Sequence, residues 1–187
     1  QVQTTGQLPS IRSCPSWCKE KNSVYVFGGY DGVQRMNDFF ACDLDTYTWR
    51  RIPETGEAPG TPSTRYFHSC AVHNGSMFVF GGYNGSERLN DMYEHNFASG
   101  EWTRVESVGE VPTGRSSLVA QVHGNSLYIF GGYNGTVVLN DFYEFRLAPL
   151  VVPPPTLVAD LRGLINNREL SDVTFIVDGH PIYAKRV

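Results

Sequence analysis

Through the first 147 residues, short stretches in which apolar and polar side chains alternate are separated by turns rich in Gly, Asn and Asp, and one such pattern recurs three times. The copies are SVYVFGGYDGVQRMNDFFACDLDTYTW from Ser23, SMFVFGGYNGSERLNDMYEHNFASGEW from Ser76 and SLYIFGGYNGTVVLNDFYEF from Ser126. A fixed period of this length is the signature of a repeat architecture. The Gly-Gly pairs begin at Gly28, Gly81 and Gly131, and ten residues after each first glycine comes Asp38, Asp91 or Asp141. Sixteen residues before it stands Arg12, Arg65 or Arg115, and Trp49 and Trp102 follow 21 residues after it in the first two copies.

Alternation of period two bounded by turn residues predicts four strands per copy. The first follows the arginine, the second carries the Gly-Gly pair, the third follows Asn-Asp and the fourth carries the Trp. His73-Asn74-Gly75 and His123-Gly124-Asn125 supply the positive-φ residues of the tight turn between the first two strands. Four antiparallel strands in about 50 residues is the pattern of a propeller blade. Phe27, Phe80, Phe130 and the tryptophans are expected in the core. The glycine pairs are expected where backbones pack closely near the axis. The recurring aspartates are expected to cap turns, and Arg12, Arg65 and Arg115 to make an interblade hydrogen bond or ion pair.

Beyond Leu147 the repeat stops. Pro149, Pro153, Pro154 and Pro155 predict a stiff linker over 149–156. Leu157, Val158, Leu161, Leu164 and Ile165 form one stripe of an amphipathic helix capped by Thr156. Val173, Phe175 and Val177 then alternate with polar residues, and Asp178-Gly179 predicts a hairpin turn into Pro181-Ile182-Tyr183.

Composition narrows the chemistry. The 187 residues are 41% hydrophobic and 18% charged with a net charge of -4. The acidity lies in residues 1–150, with 15 acidic against 11 basic groups, so a phosphate-backbone partner is disfavoured and no nucleic acid is expected. No apolar run approaches the roughly 20 residues of a membrane span. The four cysteines, Cys14, Cys18, Cys42 and Cys70, lack zinc spacing and read as buried thiols. Asn74, Asn84 and Asn134 begin N-x-S/T triplets, but each is an Asn-Gly pair in a turn. The five histidines occupy non-equivalent places in the repeat. No catalytic residues, metal or cofactor are therefore assigned.

The doubled glycine, the downstream polar-acidic turn and the aromatic followed by Trp resemble the kelch repeat over residues 6–147. That resemblance implies a kelch propeller, commonly of about six blades. Two complete copies and one partial copy are present, with Val152 at the third Trp position. Residues 1–12 echo the tail of a preceding copy, Thr5-Gly6-Gln7-Leu8-Pro9 matching Thr55-Gly56-Glu57-Ala58-Pro59, so upstream blades are expected.

The run S-D-V-T-F-x-V-x-G from Ser171, followed by Tyr183-Ala184, resembles the start of a BTB (POZ) domain, with Lys185 where that family often has His. The expected fold class is all-β, a partial kelch propeller of about two and a half four-stranded blades with a truncated α/β BTB segment. The expected divisions are a propeller over 1–148, a linker over 149–156 and the BTB start over 157–187.

Kelch repeats followed by a BTB domain resemble the leucine-zipper-like transcriptional regulator family and related kelch-BTB adaptors. What this implies is a non-catalytic, cytoplasmic, endomembrane-associated or nuclear adaptor. Its propeller would hold a client protein, and its complete BTB domain would self-associate and engage a cullin scaffold of a ubiquitin ligase. A cytoskeletal (actin) or membrane-trafficking scaffold is the alternative, and a propeller oxidase or hydrolase a more distant one.

In a meander, the loops between second and third strands emerge at the same end as the interblade connections. They carry Tyr30 and Arg35, Tyr83 and Arg88, and Tyr133 with Val138 at the third arginine position. Tyr and Arg are enriched at interaction hot spots. Tyr30, Arg35, Tyr83, Arg88 and Tyr133 are accordingly the candidate client-binding residues. The tyrosines recur identically, which also suits a scaffold role. The arginine position varies, as expected where the fold does not dictate it.

Overall fold

The computed structural model describes residues 1–53, 60–147, 166–169 and 171–184. The helix expected over 157–165, the linker, Val152, Thr55 to Pro59 and Lys185 lie outside them. Two units, Gln1–Pro149 and Leu150–Val187, divide the chain.

All regular structure among the described residues is β. In the first unit, β1 is Thr5–Gly6, and β2 (Ser16–Glu20), β3 (Ser23–Tyr30), β4 (Arg35–Asp43) and β5 (Thr48–Ile52) form the first antiparallel meander. The second consists of β6 (Ser69–His73), β7 (Ser76–Phe80), β8 (Met92–Asn96) and β9 (Trp102–Val105). The third has three strands among the described residues, β10 (Val119–His123), β11 (Ser126–Tyr133) and β12 (Val138–Arg146). Residues Thr5 and Gly6 add to the outer edge of the first sheet by pairing parallel with β5. The segment echoed at the end of the first copy thus lies against the blade that it leads into.

The first strands of successive sheets, β2, β6 and β10, pack against one another. Just before each comes a residue in the left-handed region, Cys14, Phe67 or Ser117. Its N–H donates to the equivalent carbonyl of the preceding sheet, Phe67 to Cys14 at 3.1 Å and Ser117 to Phe67 at 2.8 Å. This hydrogen-bonded chain links the blades at their inner edge.

Side chains complete each seam. Between the first two sheets, Phe27, Phe39, Tyr25 and Cys18 meet Met77, Val79, Tyr93 and Trp102. Between the second and third, Phe78, Phe80, Met92 and Ala71 meet Leu127 and Ile129. Gly28 explains the glycine pair. It has φ +63°, and a Cβ there would stand 2.7 Å from the Arg65 carbonyl of the next blade. The neighbouring Gly29 N–H donates to that carbonyl at 2.9 Å. Close approach at the strand end is therefore an interblade contact, which a side chain would abolish.

One core expectation is corrected. Phe27 and Phe80 are 1% and 2% exposed, but Phe130 is 48% exposed and Phe142 beside it 66%. They occupy the face of the third sheet equivalent to the faces that the following blade covers on the first two. Phe130→Ser with Phe142→Ser is expected to change the unfolding free energy by about 1 kcal/mol or less. The same variant should reduce self-association. Urea titration and sedimentation of this chain check both outcomes.

In the second unit, β13 (Val173–Val177) and β14 (His180–Ala184) form an antiparallel hairpin, with Val177 opposite His180. Asp178 and Gly179, at φ 49° and 76°, make its two-residue turn.

Candidate interaction site

The lead-in arginines and the Asn-Asp pairs form one device repeated three times. Arg65 Nη1 and Nη2 lie 2.7 and 3.1 Å from the two carboxylate oxygens of Asp91. Nη1 also donates to the Gly81 carbonyl at 3.1 Å, and Nε donates to the Ser63 carbonyl. Arg12 binds Asp38 and Gly28 in the same way, and Arg115 binds Asp141 and Gly131. Each guanidinium stacks 5.4 Å from the ring of Phe40, Tyr93 or Tyr143.

The aspartates are therefore ion-pair partners rather than turn caps. The pairing also falls within a blade. It ties the lead-in segment to the second and third strands, while the backbone of Arg65 makes the interblade bonds, accepting from Gly29 and donating to Met36. Bidentate geometry around a buried guanidinium is why arginine recurs here. Arg115 correspondingly holds the Asp141 carboxyl below its ordinary value.

This device positions the loops at the same end of the blades. Ser13, Tyr66 and Ser116, each one residue after the lead-in arginine, pair with Tyr30, Tyr83 and Tyr133 through reciprocal backbone hydrogen bonds. All three tyrosine loops thus emerge where the lead-in segments do. Their construction is identical. The tyrosine hydroxyl donates to the Gly32, Gly85 or Gly135 carbonyl at 2.7 to 2.8 Å. The following Asp31, Asn84 or Asn134 accepts two backbone N–H groups with one side-chain oxygen. Those N–H groups hold the Asp31 carboxyl below its ordinary value.

The structure joins the loops through their arginines. The Arg35 guanidinium lies 5.6 Å from the ring centre of Tyr30 in its own blade, and 5.8 and 5.7 Å from Tyr66 and Tyr83 in the next. Arg88 repeats the step, 5.0 Å from Tyr83 and 4.5 Å from Tyr133. Tyr66 stacks on Tyr30 at 5.3 Å and meets Tyr83 at 5.8 Å. The result is a continuous row of alternating rings and cations across three blades.

Gly85 lets the row pass, since a Cβ there would stand 2.6 Å from the Arg35 guanidinium carbon. Tyr66 belongs to the row and was not among the candidates, because it occupies a position where the other copies have serine. The expectation that the fold leaves the arginine position free is corrected. Arg35 and Arg88 each bridge to a following blade, whereas Val138 lies on the third sheet. Their Nε atoms are buried without a hydrogen-bond partner, and neither guanidinium has a carboxylate partner among the described residues. Cation–π contacts of this kind contribute about 0.5–1 kcal/mol each at exposed sites.

Radially stacked, four-stranded antiparallel sheets joined at their inner strands define a β-propeller. The KLHDC2/KLHL20/DRC7 Kelch-repeats domain family matches residues 1–151, and the chain belongs to it. Human leucine-zipper-like transcriptional regulator 1 is 40% identical over 103 residues, covering 54% of this chain and 12% of that protein. Rho GTPase-activating protein gacHH of Dictyostelium discoideum is 48% identical over 67 residues, covering 36% of this chain and 4% of that protein. The N-(sulfonatooxy)prop-2-enimidothioate sulfolyase of Thlaspi arvense is 31% identical over 111 residues, covering 58% of this chain and 31% of that protein.

Kelch repeats as a class imply protein–protein interaction. Among the described residues there is no group of three or more His, Cys, Asp or Glu side chains able to hold a metal ion. Nor is there a helix long and apolar enough to cross a membrane.

Proposed function

We propose that this chain is the client-binding part of a non-catalytic adaptor, with the ring-and-cation row as its docking face. The observation that carries this reading is the placement of Tyr30, Arg35, Tyr83, Arg88 and Tyr133 in one row at one end of the blades. Both arginines there lack a carboxylate partner among the described residues. Stacked aromatics with guanidinium groups that have no carboxylate partner among the described residues suit a partner that supplies carboxylates. Residues 166–184 extend the proposal. The Ser171 to Gly179 motif and its hairpin support a BTB domain, through which the whole protein would self-associate and join a cullin-type ubiquitin ligase in the cytoplasm.

The test is capture from cell extract. Arg35→Glu with Arg88→Glu should lower client recovery at least about tenfold, a change corresponding to about 1.4 kcal/mol. Because both arginines also pack between blades, Val33→Asp is the second variant. Val33 is exposed on the first loop, so this change should weaken capture with an unaltered melting temperature. Full capture by all variants would remove the row from the interface. A cullin should be recovered with the full-length protein, and its absence there would overturn the ligase connection.

A further inference from the structure

The seam between the first two blades differs chemically from the seam between the second and third at one equivalent place. Cys18, six residues after Arg12, faces the seam from β2, and Cys70, five residues after Arg65, faces it from β6. The repeat positions at the next seam are Ala71 and Ala120. Two alanines therefore suffice to pack this position, and the thiols do not follow from the needs of the fold.

The sulfurs interact with each other across the seam. Cys18 and Cys70 pack in the same seam cluster, where the neighbouring Cys70 and burial push the Cys18 thiol up, and Cys18 in turn favours ionisation of Cys70. The Ser16 hydroxyl beside them is buried without a hydrogen-bond partner. Its repeat equivalent, Ser69, is occupied, accepting the Ala120 N–H at 3.0 Å. A cleft of about 350 Å³ is lined by Trp17, Cys18, Lys19, Cys70 and Gln121, so both cysteines border the same opening. Cys42 differs, because burial raises its thiol without a second sulfur beside it.

We propose that Cys18 and Cys70 are an oxidation-sensitive thiol pair that closes to a cystine across the first interblade seam on exposure to hydrogen peroxide. The Cys70 thiolate attacks one peroxide oxygen and the O–O bond breaks, leaving Cys70 sulfenic acid and a hydroxide that takes up a proton. The Cys18 sulfur then attacks the Cys70 sulfur, the S–O bond breaks, and the departing hydroxide leaves with the Cys18 proton as water. Two thiols and one peroxide thus give one disulfide and two waters. The cystine joins two blades otherwise held by non-covalent contacts, so it strengthens a seam rather than opening a site.

The test treats the reduced chain with peroxide, counts thiols after denaturation, and maps peptides without reduction. Two of the four thiols should disappear, one Cys18–Cys70 linked peptide should appear, and the melting temperature should rise. Cys18→Ala and Cys70→Ala, which install the residues of the next seam, should keep the native circular dichroism and abolish the linked peptide. Sulfinic acid at Cys70 with Cys18 still reduced, cystines involving Cys14 or Cys42, cystines only between chains, or four unreacted thiols would each overturn the proposal.

Discussion

Replacing Asp91 by Ala is expected to destabilise the protein by about 3–5 kcal/mol, the usual cost of removing one partner from a buried ion pair. The Arg65 side chain is fully buried, and among the described residues its guanidinium has Asp91 as its one anionic partner, at 2.7 Å. With that carboxylate gone, a positive charge stays in a low-dielectric setting, its acceptors among the described residues being the neutral Ser63 carbonyl and hydroxyl and the Gly81 carbonyl. Asp141→Ala should cost less, because the Asp141 side chain is 35% exposed where that of Asp91 is 16%, and water can partly replace it. Urea unfolding of the two variants measures the difference. A double variant, Arg65→Met with Asp91→Leu, should recover much of the loss, since it removes the stranded charge together with its partner. A loss below about 1 kcal/mol in Asp91→Ala would mean that backbone bonding alone fixes the lead-in segment.

Acidification should destabilise the fold through two buried histidines. Burial, with the Arg65 charge nearby, lowers the His68 pKa from 6.5 to about 3, and burial lowers that of His95 to about 4. His68 packs edge-on against Phe27, and His95 sits between Phe39 and Trp102. Both rings are neutral in the folded state, whereas in the unfolded chain they take up protons below 6.5. The unfolded state then binds more protons, so stability is full above pH 6.5 and falls as pH drops towards 4. The limiting slope is about 1.4 kcal/mol per pH unit for each histidine.

Asp31, Asp43 and Asp141 have pKa values lowered from 3.8, so their contributions persist through this window and fade only below it. Urea midpoints measured at intervals from pH 7.5 to 4.5 should trace the decline, and His95→Leu should remove about half of the slope. A flat profile above pH 5 would show that the rings are protonated within the fold.

The two residues were not conspicuous as a pair in the sequence. They occupy non-equivalent repeat positions, and nothing in the spacing marks either as buried. The seam makes them alike by placing both against the aromatic face of the first blade. The same distinction separates the two arginine classes. Arg12, Arg65 and Arg115 could be assigned to an ion pair from their recurrence, but the partner and its location within the blade required the register of β4 and β8. For Arg35 and Arg88, variation at the position suggested freedom from the fold. A long side chain can, however, reach rings of the next blade, and a repeat read one copy at a time contains no trace of that neighbour.

What the amino-acid order determined by itself is the local plan. Period-two alternation, Asn-Gly and Asp-Gly turns and the in-register repeat specify the strands, their antiparallel order and the end from which the tyrosine loops emerge, because these follow from pleat geometry and backbone sterics within a few residues. Tertiary structure decided what lies across each seam: which of three equivalent phenylalanines is covered, which carboxylate meets which guanidinium, and which cysteine faces a second sulfur. Those outcomes depend on side chains about 50 residues apart in the chain and on the packing of one sheet against the next, a proximity that stacked repeats create through interfaces rather than through local sequence.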